Sequence, residues 1–477
     1  MSENVAGGIM PKVVGECMSC IPRDRPVSQA CRTDRARRRA NGLRRRYATE
    51  TPMKSLNVLA PAEQHWSCHS CSGCCRQHEI EITAAEKARI EAQNWPQTGE
   101  IPPGQPLFEP LGRSGRWRLA HQADGGCVFL RPDGLCRIHA RFGEAAKPLA
   151  CRLYPYAFHP AGGRDVRVSL RFSCPSVIAN RGRPVTDAAA ELRRLAGAAL
   201  PSELQRISPP ALADGIPLRW SECQRVVDEL AAWVEIPELG WPERLMAGGL
   251  WLQLLAAAWR ESPGERADEA AATARVLAKG IVEQLAANAA PQPDRVAWTV
   301  FRQHVGFYAR TDAPTLRGKV VHRWKLLKAS LAWASGFGRL VPLVEGLRPT
   351  AWKQILHDTG GWPEGSDALW RRYFRVKLHG LHFAGAGFFG WSVLDGFAAL
   401  AAVLPVTLCI ARWRALSEDR KRITLPDVHF ALAIADHNHG YSAGVGNRAA
   451  RRRIRLLGRD GGKPLYALCR RLIGDER

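Results

Sequence analysis

The apolar positions of this chain fall into two regimes. From about Thr186 onward they run in long Ala/Leu/Arg-rich stretches with helical spacing, broken at ISPPALADGIP (Ile207 to Pro217) and AAPQPD (Ala289 to Asp294). Between Cys68 and Val177 the pattern is shorter and turns often. HEIEIT (His78 to Thr83) alternates as a brief strand. Thr83-Ala-Ala-Glu86 has the spacing of a capping box, in which hydroxyl and carboxylate satisfy each other's backbone donors, and it predicts a helix through about Asn94. Trp95-Pro96 ends that helix, and the polar loop QTGEIPPGQP follows.

Cys127-Val-Phe-Leu130 and Leu135-Cys136-Arg-Ile138 flank Arg131-Pro-Asp-Gly134. The proline presets one turn angle and the glycine admits the left-handed one, so a hairpin with a cysteine on each arm is expected. In VRVSLRFSC (Val166 to Cys174), Val166, Val168, Leu170, Phe172 and Cys174 share one face; Arg167, Ser169, Arg171 and Ser173 share the other. Cys174 should therefore point into the apolar interior.

Two apolar runs resemble membrane spans. Leu245 to Trp259 is shorter than the roughly 20 residues a crossing needs. Gly396 to Ala411 is also short and carries Pro405 mid-run. Both read as buried helices. The expected fold is mainly α-helical, with a small cysteine-rich metal-binding module containing short β-hairpin and strand elements. The expected divisions are a disordered basic leader (1–52), the cysteine module (53–185), an α-helical region (186–447) and a basic carboxy-terminal tail (448–477).

Charge adjusts this picture only at the ends. Of the net charge of +23, residues 1–50 contribute +6 and residues 448–477 contribute +7. The leader, with RARRRANGLRRR (Arg35 to Arg46), has few apolar residues and no period, and Met53 is an alternative start. No helix-turn-helix, RNA-binding or zinc-finger spacing accompanies these charges, so nucleic acid is not an expected partner. Met1 to Met10 lacks the basic start and apolar run of a secretory signal, and the expected compartment is the cytoplasm, with no membrane partner.

Eight of the 14 cysteines lie between residues 68 and 174: Cys68, Cys71, Cys74 and Cys75 in CHSCSGCC, then Cys127, Cys136, Cys151 and Cys174. In a reducing compartment such density points to metal rather than disulfides. A Cys-x-x-Cys turn brings two thiolates to one ion, and a hairpin or second turn commonly supplies the others. Thiolate-only ligation suits zinc and iron–sulfur clusters, including a 4Fe-4S cluster, about equally. Eight thiols suffice for one site or two, and adjacent Cys74 and Cys75 diverge. His65, His69, His78 and His139 lie nearby but are left out of the ligand set.

CHSCSGCC, EIEITAAE, CVFLRPDGLCRIH, PLACRLYPYAF and a last Cys174, in this order, resemble a family of bacterial cysteine-cluster proteins described as zinc- or iron-chelating. The resemblance covers about Trp66 to Val177. The insertion ARFGEAA before Lys147-Pro148, with Gly143-Glu144 and Cys151-Arg-Leu-Tyr-Pro155, is similar to the flagellin lysine-N-methylase branch. WRRYFRVKLHGLHF and LPDVHFALAIADHNHGY extend that similarity. What this branch implies is methyl transfer from S-adenosylmethionine to lysines of flagellin or another lysine-bearing protein.

Two further signals have simpler readings. GAGFFG (Gly385 to Gly390) spells GxGxxG, yet no β-branched strand precedes it, and it reads as a connection between helices. His437-Asn-His439 after Asp436 ends a helix from about Pro426 to Gly440, where histidines interact favourably with terminal carbonyls. Arg152, Tyr154 and Pro155 beside Cys151 are expected to support the ligand turn.

Overall fold

The computed structural model describes residues 56–474, apart from 113–114, 201–206, 262–266, 290, 311–327, 330 and 357–360. The basic leader and the alternative start at Met53 lie outside the described residues.

Two cores organise the chain. The smaller gathers Ile80, Ile82, Ile90, Trp95, Phe129 and Ile138, among others. Over it lies a sheet in which Trp117–Leu119 pairs with both Glu81–Ile82 and Phe108–Pro110. The capping box forms as the sequence predicts: Thr83 N donates to Glu86 Oε2 at 2.8 Å, Glu86 N to Thr83 Oγ1 at 3.2 Å, and the helix runs Ala84–Glu91. The expected Cys127/Cys136 hairpin is reduced to a turn. Gly134 N donates to Arg131 O at 3.0 Å, but only isolated bridges form, at His121 with Cys127 and Leu130 with Cys136. Cys136 instead starts the helix Arg137–Phe142, which places Ile138 in the small core.

The larger core begins in a second sheet. Asp165–Leu170 pairs in parallel with Asn57–Leu59 and antiparallel with Tyr156–Pro160, in the register Tyr156 to Leu170. Val166, Val168, Leu170, Phe172 and Cys174 are all buried, as their alternation predicts. Their polar neighbours Ser169, Arg171 and Ser173 are buried too. The helix Ser366–His379 and Gly380 lie across that face, so closely that a side chain at Gly380 would collide with Ser169.

The rest is helical, and the same core continues through it without a break. Val393–Ser417 is apolar all round and almost wholly buried, as befits a central helix. Among the described residues it is the one helix long and apolar enough to cross a membrane, and 89% of its most apolar window is inside the protein. Pro405 sits within it. Its first amides are met by the Ile207–Pro217 break, since Val393 N donates to Ala211 O at 2.8 Å and Leu394 N to Leu212 O at 3.0 Å. GAGFFG links Ser366–His379 to this helix, as its sequence context predicts.

The basic carboxy-terminal segment packs as helices Arg448–Leu457 and Arg459–Ile473. Its arginines meet carboxylates. Arg451 and Arg455 each reach Asp395 at 2.7 Å and also hold Asp214, while Arg470 reaches Glu243 at 3.2 Å.

Candidate metal centre

CHSCSGCC is anchored at its start by main-chain bonds. His65–Trp66 pairs with Arg183–Pro184, and Ser67 N donates to Arg181 O at 3.0 Å. Beyond this the chain bends sharply. Ser70 (φ 54) and Ser72 (φ 55) both adopt left-handed angles, which non-glycine residues take only when their surroundings dictate it. The short helix Gly73–Gln77 follows and carries Cys74 and Cys75, whose sulfurs are 3.9 Å apart. Two contacts lock the Cys127–Cys136 turn onto this loop: Cys127 N donates to Cys75 O at 2.9 Å, and Gly134 (φ 83) lies where any Cβ would strike Ser70 O. Cys151 comes from the helix Leu149–Leu153, whose first amide, Leu149 N, donates to Glu86 Oε1 at 2.7 Å.

The thiols fall into two electrostatic neighbourhoods. Cys127 is raised to about 12, chiefly by burial, with Cys136 and Cys74 contributing as potential like charges. Burial likewise lifts Cys151 well above the ordinary thiol range, with contributions from Cys127, Cys136 and Cys74. Cys74 is raised first by its hydrogen bond with Cys75, then by burial. Cys127, Cys136 and Cys151 all pack against the small core. Cys174 belongs to the large core, is raised chiefly by burial, and is coupled to Cys71. Cys68 and Cys71 are exposed.

All eight thiols are free, and among the described residues no three Cys, His, Asp or Glu side chains converge closely enough to hold an ion as they stand. Of the remaining cysteines, Cys223, Cys409 and Cys469 are buried in the large core as small apolar residues, and Cys17, Cys20 and Cys31 lie outside the described residues.

Beside this centre runs a buried polar seam that the sequence reading misses. Lys377 Nζ and Asp436 Oδ1 pair at 2.6 Å with both side chains wholly inaccessible. Lys377 also lies 3.2 Å from His382 Nδ1, which is 3.1 Å from Ser169 Oγ. His437 stacks on His78, with ring centres 5.0 Å apart, and His439 Nδ1 meets the Tyr308 hydroxyl at 2.9 Å. The carbonyl-capping role expected for His437 and His439 is thus replaced by ring contacts, because the helix Leu425–Asn438 ends inside the protein. Burial holds His159, His304 and His437 near 3, and keeps His78, His382 and His439 well below the ordinary histidine range. One signal in the sequence could have found the seam: Lys377 falls on the stripe of Trp370, Tyr373 and Phe374, where an apolar residue belongs.

Residues 67–174 match a family model described as "CxxCxxCC: Putative zinc- or iron-chelating domain". The flagellar biosynthetic protein FliU of Salmonella muenchen is 30% identical over 131 residues, which is 26% of this chain and 76% of that protein. No solved structure matches.

Proposed function

The chain belongs to the family of flagellar biosynthetic protein FliU and carries a zinc- or iron-chelating domain, and from that premise we propose that its cysteines hold zinc or an iron–sulfur cluster. The observation that carries this reading is the packing of Cys127, Cys136 and Cys151 against the small core, with Cys74 close enough to act on them electrostatically. Four thiolates there would repel one another, and a bound cation relieves that repulsion while displacing their protons. The donor set fits the group: it is all sulfur, half-buried and free of disulfides. We assign these four as one ligand set. Cys75, with its sulfur 3.9 Å from that of Cys74, stands beside this set, whereas Cys71 and Cys174, with Cys68 near Cys71 in the chain, are assigned to a second. Bound there, the metal would supply a structural clasp or, as a 4Fe-4S cluster, a redox or transfer centre. The reducing cytoplasm is the compartment that keeps such thiols available.

A second reading follows from the flagellar relative. In it the protein is a lysine-N-methyltransferase that takes its methyl group from S-adenosylmethionine and acts on flagellin or another lysine-bearing protein. The matched region is about a quarter of this chain, so the helical body would have to supply the donor and substrate sites.

Metal and acid-labile sulfide analysis, with an absorption spectrum, on protein purified without air tests the first reading. Iron with sulfide and visible absorption identifies a cluster, and zinc alone identifies a clasp. Protein that takes up neither refutes the reading. Methyl-donor binding by the metal-replete protein tests the second, which fails if none occurs.

A further inference from the structure

Between the strand Asp165–Leu170 and the short helix Pro175–Ile178 the chain makes one turn, ending at Cys174. Both ends of that turn are held from the helical body. Leu170 O accepts from Lys377 Nζ at 3.1 Å, and Ser173 N donates to Asp436 Oδ2 at 3.2 Å. The two holding groups are themselves ion-paired. Arg171 reaches back the other way: it donates to His437 O at 3.3 Å and lies 3.7 Å from the centre of the Tyr441 ring. Two helices, Ser366–His379 and Leu425–Asn438, thus hold Leu170, Arg171 and Ser173 of the cysteine module.

Stability alone is a poor account of this arrangement. A buried ion pair often contributes no more than apolar residues of the same volume, because both ions must leave water. What apolar residues would not supply is a donor for Leu170 O and an acceptor for Ser173 N, and these two bonds fix the backbone immediately before Cys174. The acceptor is aimed at the amide one residue from the thiol.

We infer that Asp436, held in place by Lys377, is a positioning residue for Cys174, so that the helical body sets how tightly the cysteine centre keeps its metal. This rests on the metal-binding reading above and adds a control that lies in the other half of the chain. Groups that orient a ligand without touching the metal typically alter its affinity by about 10- to 100-fold.

The test uses the full chain loaded with zinc and challenged with a graded chelator, retained zinc being read by mass spectrometry. In K377M/D436L the ion pair is replaced by apolar side chains, so the fold is expected to survive by circular dichroism while zinc is lost about 10- to 100-fold more readily. K377Q/D436N keeps a donor for Leu170 O and an acceptor for Ser173 N, and is expected to retain zinc as the wild type does. In a Cys174→Ser background, K377M/D436L should cause no further loss, because the ligand being positioned is already gone.

A folded K377M/D436L that keeps zinc like the wild type overturns the inference. So do losses that simply multiply with that of Cys174→Ser, which would mean general loosening. If K377M/D436L does not fold, K377Q/D436L carries the same comparison against K377Q/D436N. A wild-type chain that binds no zinc or iron overturns the metal reading and this inference together, whereas zinc-binding protein insensitive to the seam overturns this inference alone.

Discussion

His304 offers a direct measure of what the buried histidines contribute to folding. It lies in the helix Arg295–Tyr308, is 1% exposed, and its ring centre is 4.9 Å from that of Tyr308. Burial, assisted by the Arg453 charge, lowers it to about 3. The unfolded chain releases it to about 6.5. Between these values the unfolded state binds a proton that the folded state refuses, so stability falls as pH drops below 6.5 and goes on falling toward 3. From pH 7 to pH 5 this one group should remove about 2 kcal/mol, at 1.36 kcal/mol per unit of pKa.

His304→Phe fills the same space without the titration. The measurement is urea unfolding of wild type and H304F at pH 7 and pH 5, followed by tryptophan fluorescence. Other titrating groups are common to both proteins and cancel in the comparison. The wild type should lose about 2 kcal/mol more than H304F over this interval. A stability difference that stays the same at both pH values would refute the argument that His304 is held neutral by burial.

Other changes probe the remaining joints. Gly134→Ala should cost more than about 1 kcal/mol, because the new methyl meets Ser70 O and the left-handed angle is strained; thermal unfolding reads the cost, and metal content should fall with it. Asp395→Ala leaves Arg451 and Arg455 without their shared carboxylate and should cost about 2 kcal/mol in urea unfolding, whereas a loss under about 0.5 kcal/mol would mean that Asp214 suffices. Cys136→Ser should lower metal content and solubility together, since metal binding contributes folding free energy, and normal metal content would remove Cys136 from the ligand set. Asp436→Asn alone leaves Lys377 buried without its counter-charge and should cost about 3–5 kcal/mol by urea unfolding.

Local chemistry was legible in the sequence wherever a few neighbouring residues settle it. The Thr83/Glu86 capping box, the turn at Gly134 and the inward side of Val166 to Cys174 depend on contacts within a few positions or on simple alternation, and each forms. The Cys127/Cys136 pair forms a turn and not a regular hairpin because Cys136 begins a helix, a choice set by the place Ile138 takes in the small core. Apart from Lys377 on its apolar stripe, the seam is hidden for a different reason. Ser169, Arg171 and Ser173 look like a solvent face until a helix some 200 residues later covers them, and His437 looks like a cap until it stacks on His78. The metal family is readable from the order of its cysteines, whereas the separation of Cys127, Cys136 and Cys151 from Cys174 comes only from the two cores.

The carboxylate that receives the Ser173 amide stands 263 residues further along the chain. At synthesis rates of about 5–20 residues per second, that is about 13 to 50 s of elongation. All eight clustered thiols therefore leave the ribosome well before the helix that secures the last of them exists. During that interval Cys174 is a nascent thiol with its neighbouring turn unheld. The order of the chain thus leaves the turn before Cys174 without its bonds to Lys377 and Asp436 until the carboxy-terminal half has been made.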